Sequence, residues 1–197
     1  MKFFILILLC VSLFSADTED IKSQYQSSYN YEQMQKYSEA IKVLSPLYSE
    51  YPEGYTLNLR FGWLFYLDKK YSDSIKYYQK ATLIQPYALE AKLGLVRTYL
   101  QTHSFVDAEN VCEHIKKIDY YNYYANLYLA KALIAQKKYD IADEVIKKML
   151  LIYPTDVAFL EQLAIVYKLT DNANLQELYE NILILDPNNV LVRTNLK

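Results

Sequence analysis

Tyr55–Ala88 reads YTLNLRFGWLFYLDKKYSDSIKYYQKATLIQPYA. Leu57, Phe61, Gly62, Phe65 and Tyr66 recur at helical spacing. Asp68-Lys69-Lys70 interrupts the apolar pattern, and Tyr71, Ser74, Tyr78 and Ala81 resume it before Pro86 closes the segment. Apolar residues three and four apart line one face of an α-helix. The spacing therefore predicts two short helices joined by a turn.

The same unit recurs along the chain at one constant interval. Pro52, Pro86, Tyr120 and Pro154 are equally spaced, each thirty-four positions after the last. Tyr37, Tyr71, Phe105 and Tyr139 keep that interval, as do Ala40, Ser74, Ala108 and Ala142, and Ser28, Gly62, Val96, Ala130 and Ala164. A fifth copy ends at Pro187, one position short of the interval after Pro154, which places one missing residue in the turn near Asp171–Ala173. A chance array of amphipathic helices would lose this register within two copies. Only 3 Gly and 5 Pro in 197 residues argue against a turn-rich β fold. An apolar fraction of 52% against 22% charged suits a folded chain and not a disordered one.

The run Asn58-x2-Phe61-Gly62-x2-Phe65, Ser74-x3-Tyr78, Pro86 resembles the tetratricopeptide repeat (TPR) signature. Asn58 stands where that signature usually carries a large apolar residue. The resemblance runs from about Ile21 to Lys197. It implies an all-α fold: an α-solenoid of about five helix-turn-helix hairpins in a right-handed superhelix, with a short C-terminal capping helix. The repeats fall at about 21–54, 55–88, 89–122, 123–156 and 157–188, within one array over 17–197, and the capping helix at about 189–197. Small residues (Gly62, Ala130, Ala164; Ala40, Ser74, Ala108, Ala142) let paired helices approach closely, and Phe61, Phe65, Tyr78, Leu95, Tyr99 and Leu129 fill the space beside them. A hairpin of this size does not bury its own apolar face, so neighbours must stack.

Met1–Ala16, MKFFILILLCVSLFSA, has the layout of a secretory signal peptide: Lys2, a run of apolar residues, then small residues before the acidic Asp17–Asp20. As a helix the apolar run Phe3–Phe14 spans roughly 18 Å, short of the ~30 Å hydrocarbon core, so no stable membrane span is expected once the leader is removed. Cleavage is expected after Ser15 or Ala16. An uncleaved anchor and a lipoprotein attached through Cys10 are the alternatives.

Asp17 or Thr18 is placed to cap the first helix, whose face carries Tyr25, Tyr29 and Met34. Pro46 lies inside the second helix and predicts a kink. The fifth copy is the most degraded: Leu160, Leu163, Ala164 and Tyr167 are in place, but Ala173 stands near the usual aromatic. Val190–Leu196 suggests the capping helix, with Pro187 in its first turn.

The residues of chemistry are few. His103 and His114 are far apart and lack the spacing of a zinc site. Cys112 sits in an apolar helix column and reads as a buried thiol, and without the leader it leaves no intramolecular disulfide. Gly54, Gly62 and Gly94 form no phosphate-cradling loop. Adjacent acids such as Asp143-Glu144 point in different directions on a helix and read as solvated surface. No catalytic residue, metal ligand or cofactor is expected. A net charge of −2, slightly more acidic without Lys2, gives no electrostatic footprint for nucleic acid.

The TPR resemblance implies a concave groove lined by the first helix of each hairpin, which takes a protein or peptide partner. Carried over by register, the groove positions are Tyr25, Tyr29, Leu59, Trp63, Tyr66, Arg97, Leu100, Tyr124, Tyr128, Lys131 and Ile134. Large aromatic rings with a polar edge suit recognition; with 22 Tyr in the chain, plain helix packing is the other reading of these rings. Tyr25 and Tyr29 occupy places where carboxylate-clamp members carry Lys and Asn, which disfavours that mode. The expectation is a non-enzymatic binding scaffold or adaptor outside the cytoplasm, in a bacterial periplasm or cell envelope. The alternatives are an accessory factor for outer-membrane or secretion complexes, and a self-associating structural oligomer.

Overall fold

The computed structural model describes residues 2–195, with side chains from Thr18 to Asn195. The described residues form eleven helices and no strand: α1 (Lys2–Gln33), α2 (Tyr37–Glu50), α3 (Tyr55–Leu67), α4 (Tyr71–Ile84), α5 (Leu89–Gln101), α6 (Phe105–Lys116), α7 (Tyr123–Ala135), α8 (Tyr139–Leu150), α9 (Val157–Leu169), α10 (Leu175–Leu185) and α11 (Val190–Asn195). Among them no helix is long and apolar enough to cross a membrane. The side chains of the expected leader, Met1–Ala16, lie outside the described residues.

The turns explain why the period is so strict. Gln35, Lys69, His103, Lys137 and Asp171 all have φ between 51° and 62°, and they follow one another at the repeat interval. Each sits just past the first helix of a hairpin. The next residue's N–H reaches back to a carbonyl on that helix: Lys36 to Tyr31, Lys70 to Phe65, Ser104 to Tyr99, Lys138 to Leu133 and Asn172 to Tyr167. This is the left-handed closure that satisfies the last carbonyls of a helix. Asp171 still keeps the register, whereas the fully buried Ile182 of α10 falls one position short of the interval after Met149. The fifth copy thus loses its residue between those two points.

The chain divides into two compact units, Met1–Ala91 and Lys92–Lys197. In the first, α1 packs on α2, α2 on α3, and α3 on α4. Its core is Ala40, Leu44, Leu47, Leu57, Phe61 and Leu64, flanked by Tyr48, Phe65 and Tyr77. Phe61 stands edge-on to Tyr48 at 5.1 Å, while Phe65 stacks on Tyr77 at 5.2 Å. Burying a ring of this size stabilises by about 1.5–3 kcal/mol, and each such pair adds about 0.5–1.5 kcal/mol. Gly62 permits the α3–α4 approach, since a Cβ there would stand 2.7–2.8 Å from the Tyr78 ring. Ser74 donates its hydroxyl to the Gly62 carbonyl at 2.8 Å across the same contact.

In the second unit, α6, α7, α8, α9 and α10 pack in sequence, and α11 caps α10. Ala108, Cys112, Ala130, Ala142, Ile146 and Ala164 are fully buried. Asn122 and Asp156 cap α7 and α9, accepting from the backbone N–H of Ala125 and of Phe159, each at 3.0 Å.

Two local expectations change. The α1 helix runs without a break through Asp17 and Thr18, so neither caps its start. Pro187 precedes α11 instead of entering its first turn; the buried Asn189 leads that helix and accepts from the Val192 N–H at 3.1 Å. Asn58 departs from the large apolar residue usual at its place. It is fully buried, and its amide donates to the carbonyls of Pro52 at 2.9 Å and Gly54 at 2.8 Å. Asn126, at the same place two repeats later, does the same to Tyr120 and Asn122. In both places an asparagine ties the incoming loop to the helix it starts. The α2 helix carries Pro46 within its span.

Candidate functional site

The register-derived positions fall into two groups, one in each unit.

In the first unit, α1 and α3 lie against each other through a polar cluster centred on Arg60. Its guanidinium stacks 3.9 Å from the centroid of the Tyr29 ring, bonds Ser28 Oγ at 3.1 Å and pairs with Glu32. Glu32 also accepts from the Trp63 indole N–H at 2.7 Å. Trp63 in turn stacks on Tyr66 at 5.7 Å with the planes 17° apart. Tyr25 donates its hydroxyl to Thr56 Oγ1 at 3.4 Å. Tyr29, Trp63 and Tyr66 are therefore brought together, and Tyr29 remains half exposed; Tyr25 touches the start of α3 separately. Leu59 is half-buried on the same helix. Trp63 is held by a hydrogen bond and a ring stack, so its indole is fixed in orientation.

Arg60 and Glu32 escaped the sequence reading, and Ser28 entered it only as a member of a repeat column. Arg60 as the one charged residue of α3 was the available signal. An indole N–H that is half-buried also demands an acceptor, and Glu32 is that acceptor.

In the second unit, Arg97, Leu100, Tyr128 and Lys131 line one pocket of about 270 Å³, completed by Gln101 and Phe105. Arg97, Leu100 and Gln101 share one face of α5, three and four residues apart, and Tyr128 and Lys131 share one face of α7. Tyr124, 56% exposed, lies one turn before Tyr128 with ring centroids 6.2 Å apart. Ile134 is half-buried, one turn beyond Lys131. Phe105 opens α6, and its carbonyl accepts from Gln136 just past α7 at 3.3 Å. Gln136 and Lys138 also donate to Glu109, at 2.6 and 2.7 Å. Burial pushes the Glu109 carboxyl up, but the Lys138 and Gln136 hydrogen bonds together with the Lys138 charge outweigh it and hold it below its usual value.

Other groups are structural. Burial, then the charge of Glu113, pushes the Cys112 thiol up to about 12. Burial, then the hydrogen bond to Asp156 Oδ2 at 3.0 Å, pushes Tyr123 up to about 12. Tyr55 bonds Glu90 at 3.0 Å and is raised to about 12, by burial first and by that bond second. His103 is a left-handed turn residue packed edge-on to Phe105 at 5.5 Å, and His114 is exposed. Among the described residues no group of three or more His, Cys, Asp or Glu is placed to hold a metal ion.

The architecture that carries these faces is that of the tetratricopeptide-type helical repeat. A tetratricopeptide repeat protein from Parabacteroides merdae aligns at a TM-score of 0.81 over 89% of this chain and 70% of its own, with 14% identity. MamA (residues 41 to the end) from Desulfovibrio magneticus RS-1 aligns at 0.78 over 87% and 97%, also with 14% identity. A kinesin light chain with TPR-like repeats from Podospora anserina aligns at 0.72 over 84% and 94%, with 17% identity. No protein-family model and no curated protein sequence matches the chain.

Proposed function

We propose that this protein is a non-enzymatic scaffold that binds a protein or peptide segment on the faces of its first helices and acts outside the cytoplasm. The observation that carries the reading is the pocket of the second unit. Four positions carried over from the TPR resemblance, Arg97, Leu100, Tyr128 and Lys131, converge on one concavity. Its mixture of aromatic, aliphatic and cationic groups suits a peptide: rings supply area at low entropic cost, and charged groups fix register. The likeness to tetratricopeptide-type structures supports the reading at the level of fold. The leader-like Met1–Ala16 supports export. Its test is the mature N-terminus, read by mass spectrometry from fractionated cells: a chain starting near Asp17 outside the cytoplasm agrees, and an intact Met1 in the cytoplasm refutes export.

The binding test is photo-crosslinking in the native cell. A probe replaces the exposed Tyr124, and a control probe replaces the exposed His114 of α6. A discrete partner trapped from Tyr124 alone agrees with the reading. Equal labelling from both positions, or none from either, removes it.

Self-association is the second reading. It is favoured by aliphatic residues left open in the second unit: Leu151 is 86%, Ile184 76% and Val190 78% exposed. Concentration-dependent sedimentation distinguishes the two.

A further inference from the structure

We propose that two copies of this chain pair across a two-fold axis at the end of α8, with Leu151 of each set against Leu151 of the other. This rests on the self-association reading above and names its surface and symmetry. None of the groove positions takes part.

Leu151 closes α8, where its N–H donates to the Lys147 carbonyl at 3.1 Å and its side chain projects into solvent. Single exposed aliphatics are ordinary on a protein surface; Leu151 differs in what surrounds it. Ile152 and Tyr153 follow it in the chain, both partly open. Tyr120 adjoins through Lys148, whose ammonium donates to the Tyr120 hydroxyl at 2.8 Å and stands 5.3 Å from its ring centroid. Lys148 lies three and four residues before Leu151 and Ile152, on their side of the helix. The ring of Tyr121 meets that of Tyr120 edge-on at 4.9 Å, and Ile118 precedes them; all three are exposed.

The shape is self-complementary. Leu151 lines a concavity of about 670 Å³ together with Leu150, Asp143, Glu144, Lys147 and Lys148. A projecting side chain thus stands beside a hollow, and a two-fold rotation seats each leucine in the hollow of the other copy. The rim is self-complementary in charge as well. Asp143 pairs with Lys147 at 2.7 Å and Glu144 with Lys148 at 3.8 Å, so two acids and two bases frame an apolar floor. A second copy meets each sign with its opposite. An anionic lipid surface finds no surplus of cations there, because both lysines have a carboxylate.

The area is of the right order. The open parts of Ile118, Tyr120, Tyr121, Leu151, Ile152 and Tyr153 amount to about three whole large side chains, on the order of 600 Å² at about 150–250 Å² each. The stems of Lys147 and Lys148 extend this toward the ~800 Å² that a stable interface takes from each partner.

The test uses the protein purified as its own cell processes it, in sedimentation equilibrium over a range of concentrations. Leu151→Glu is compared with the native chain, and Val106→Glu serves as control. Val106 is also exposed, but it stands at the start of α6, the end opposite Ile118. Both substitutions are at the surface, and helicity and melting check that both variants fold. The expected result is a native dimer in the micromolar range, unchanged by Val106→Glu. Leu151→Glu should weaken it by at least about a hundredfold, tenfold for each leucine lost. The two-fold axis adds a sharper sign: Leu151→Glu mixed with Leu151→Lys should form a mixed dimer, although neither variant pairs with itself. A native chain that stays monomeric throughout overturns this contact and the self-association reading with it. A dimer that Leu151→Glu leaves intact overturns this surface and keeps self-association. Loss of pairing in Leu151→Glu without a mixed dimer overturns the two-fold arrangement. A monomeric native chain that binds phosphatidylglycerol vesicles, and releases them on Leu151→Glu, overturns a second copy in favour of a lipid surface.

Discussion

Gly62 of α3 lies against the ring of Tyr78 on α4 so closely that a methyl group would stand 2.7 Å from its Cδ1. Tyr78 is itself buried, so its ring has little room to move aside. Gly62→Ala gains about 1 kcal/mol of helix propensity, but it overpacks a contact between two rigid helices. The net expectation is destabilisation by about 1–3 kcal/mol in urea unfolding. Gly62→Ala combined with Tyr78→Leu should recover part of the loss, because the smaller side chain vacates the space; equal loss in both would show that the ring is not the obstacle.

Asn58 and Asn126 each hold two backbone carbonyls of the loop before their helix. Restoring the large apolar residue that repeats of this kind usually carry, as Asn126→Leu, removes the donors and leaves the Tyr120 carbonyl without its amide partner. A loss of about 1–3 kcal/mol is expected. Thermal denaturation checks it, and a gain in melting temperature would refute the assigned role.

The Arg60–Glu32–Trp63 cluster predicts an ordering of variants. Glu32→Ala leaves a guanidinium that is only 6% exposed without its counter-charge, whereas Glu32→Ala/Arg60→Met removes both charges. The double variant should therefore be the more stable of the two by about 1–3 kcal/mol, less than for a fully buried pair because Glu32 keeps 22% exposure. The intrinsic fluorescence of Trp63 reports the same event, since the single Trp loses its acceptor in both variants.

Cys112 is fully buried and its thiol is raised to about 12. Thiolate is the reactive form. In a Cys10→Ser background, labelling by a disulfide reagent at pH 8 should be slow in the folded protein and fast in denaturant. Rapid labelling of the native chain would mean that α6 opens readily.

Two groups set opposite limits on the pH range. Tyr123 is an acid whose folded value, about 12, exceeds its ordinary 10.0. Its contribution is therefore whole below pH 10 and is lost as the pH rises from there toward 12. Glu109 has a lowered value. Its contribution is whole above its ordinary 4.5 and is lost as the pH falls below that through the folded value. Tyr123→Phe should flatten the alkaline limb of the stability profile, and Glu109→Gln the acid limb.

Much of the helical plan was legible because it is written in sterics. A small residue at Gly62, Ser74, Ala108 or Ala142 leaves few alternatives for what lies opposite, and a strict repeat interval fixes where each helix must turn. Helix starts at Tyr37, Tyr71, Phe105 and Tyr139 follow that spacing in the structure. The polar interior was not legible. A lone Arg60 reads equally as a solvated charge until Ser28, Tyr29 and Glu32 of another helix are placed around it. Asn58 reads as a flaw in an apolar column until Pro52 and Gly54 present their carbonyls. The TPR resemblance, carried over by register, named Arg97, Leu100, Tyr128 and Lys131 as groove positions; Gln101 and Phe105 join them because a turn carries the chain from α5 into α6 beside α7. Pairings across helices depend on approach distances that no single chain position encodes.

None of the five left-handed turn residues, Gln35, Lys69, His103, Lys137 and Asp171, is glycine. A side chain in that conformation costs about 1–2 kcal/mol relative to a residue without one, partly offset by the freedom glycine would regain when unfolded. Every hairpin thus runs with a small brake applied at its hinge. Because energies in such arrays add from neighbour to neighbour, the brakes also add. Thermal tolerance can then be raised or lowered at the connectors, one step per repeat, without altering any surface on which a ligand would sit.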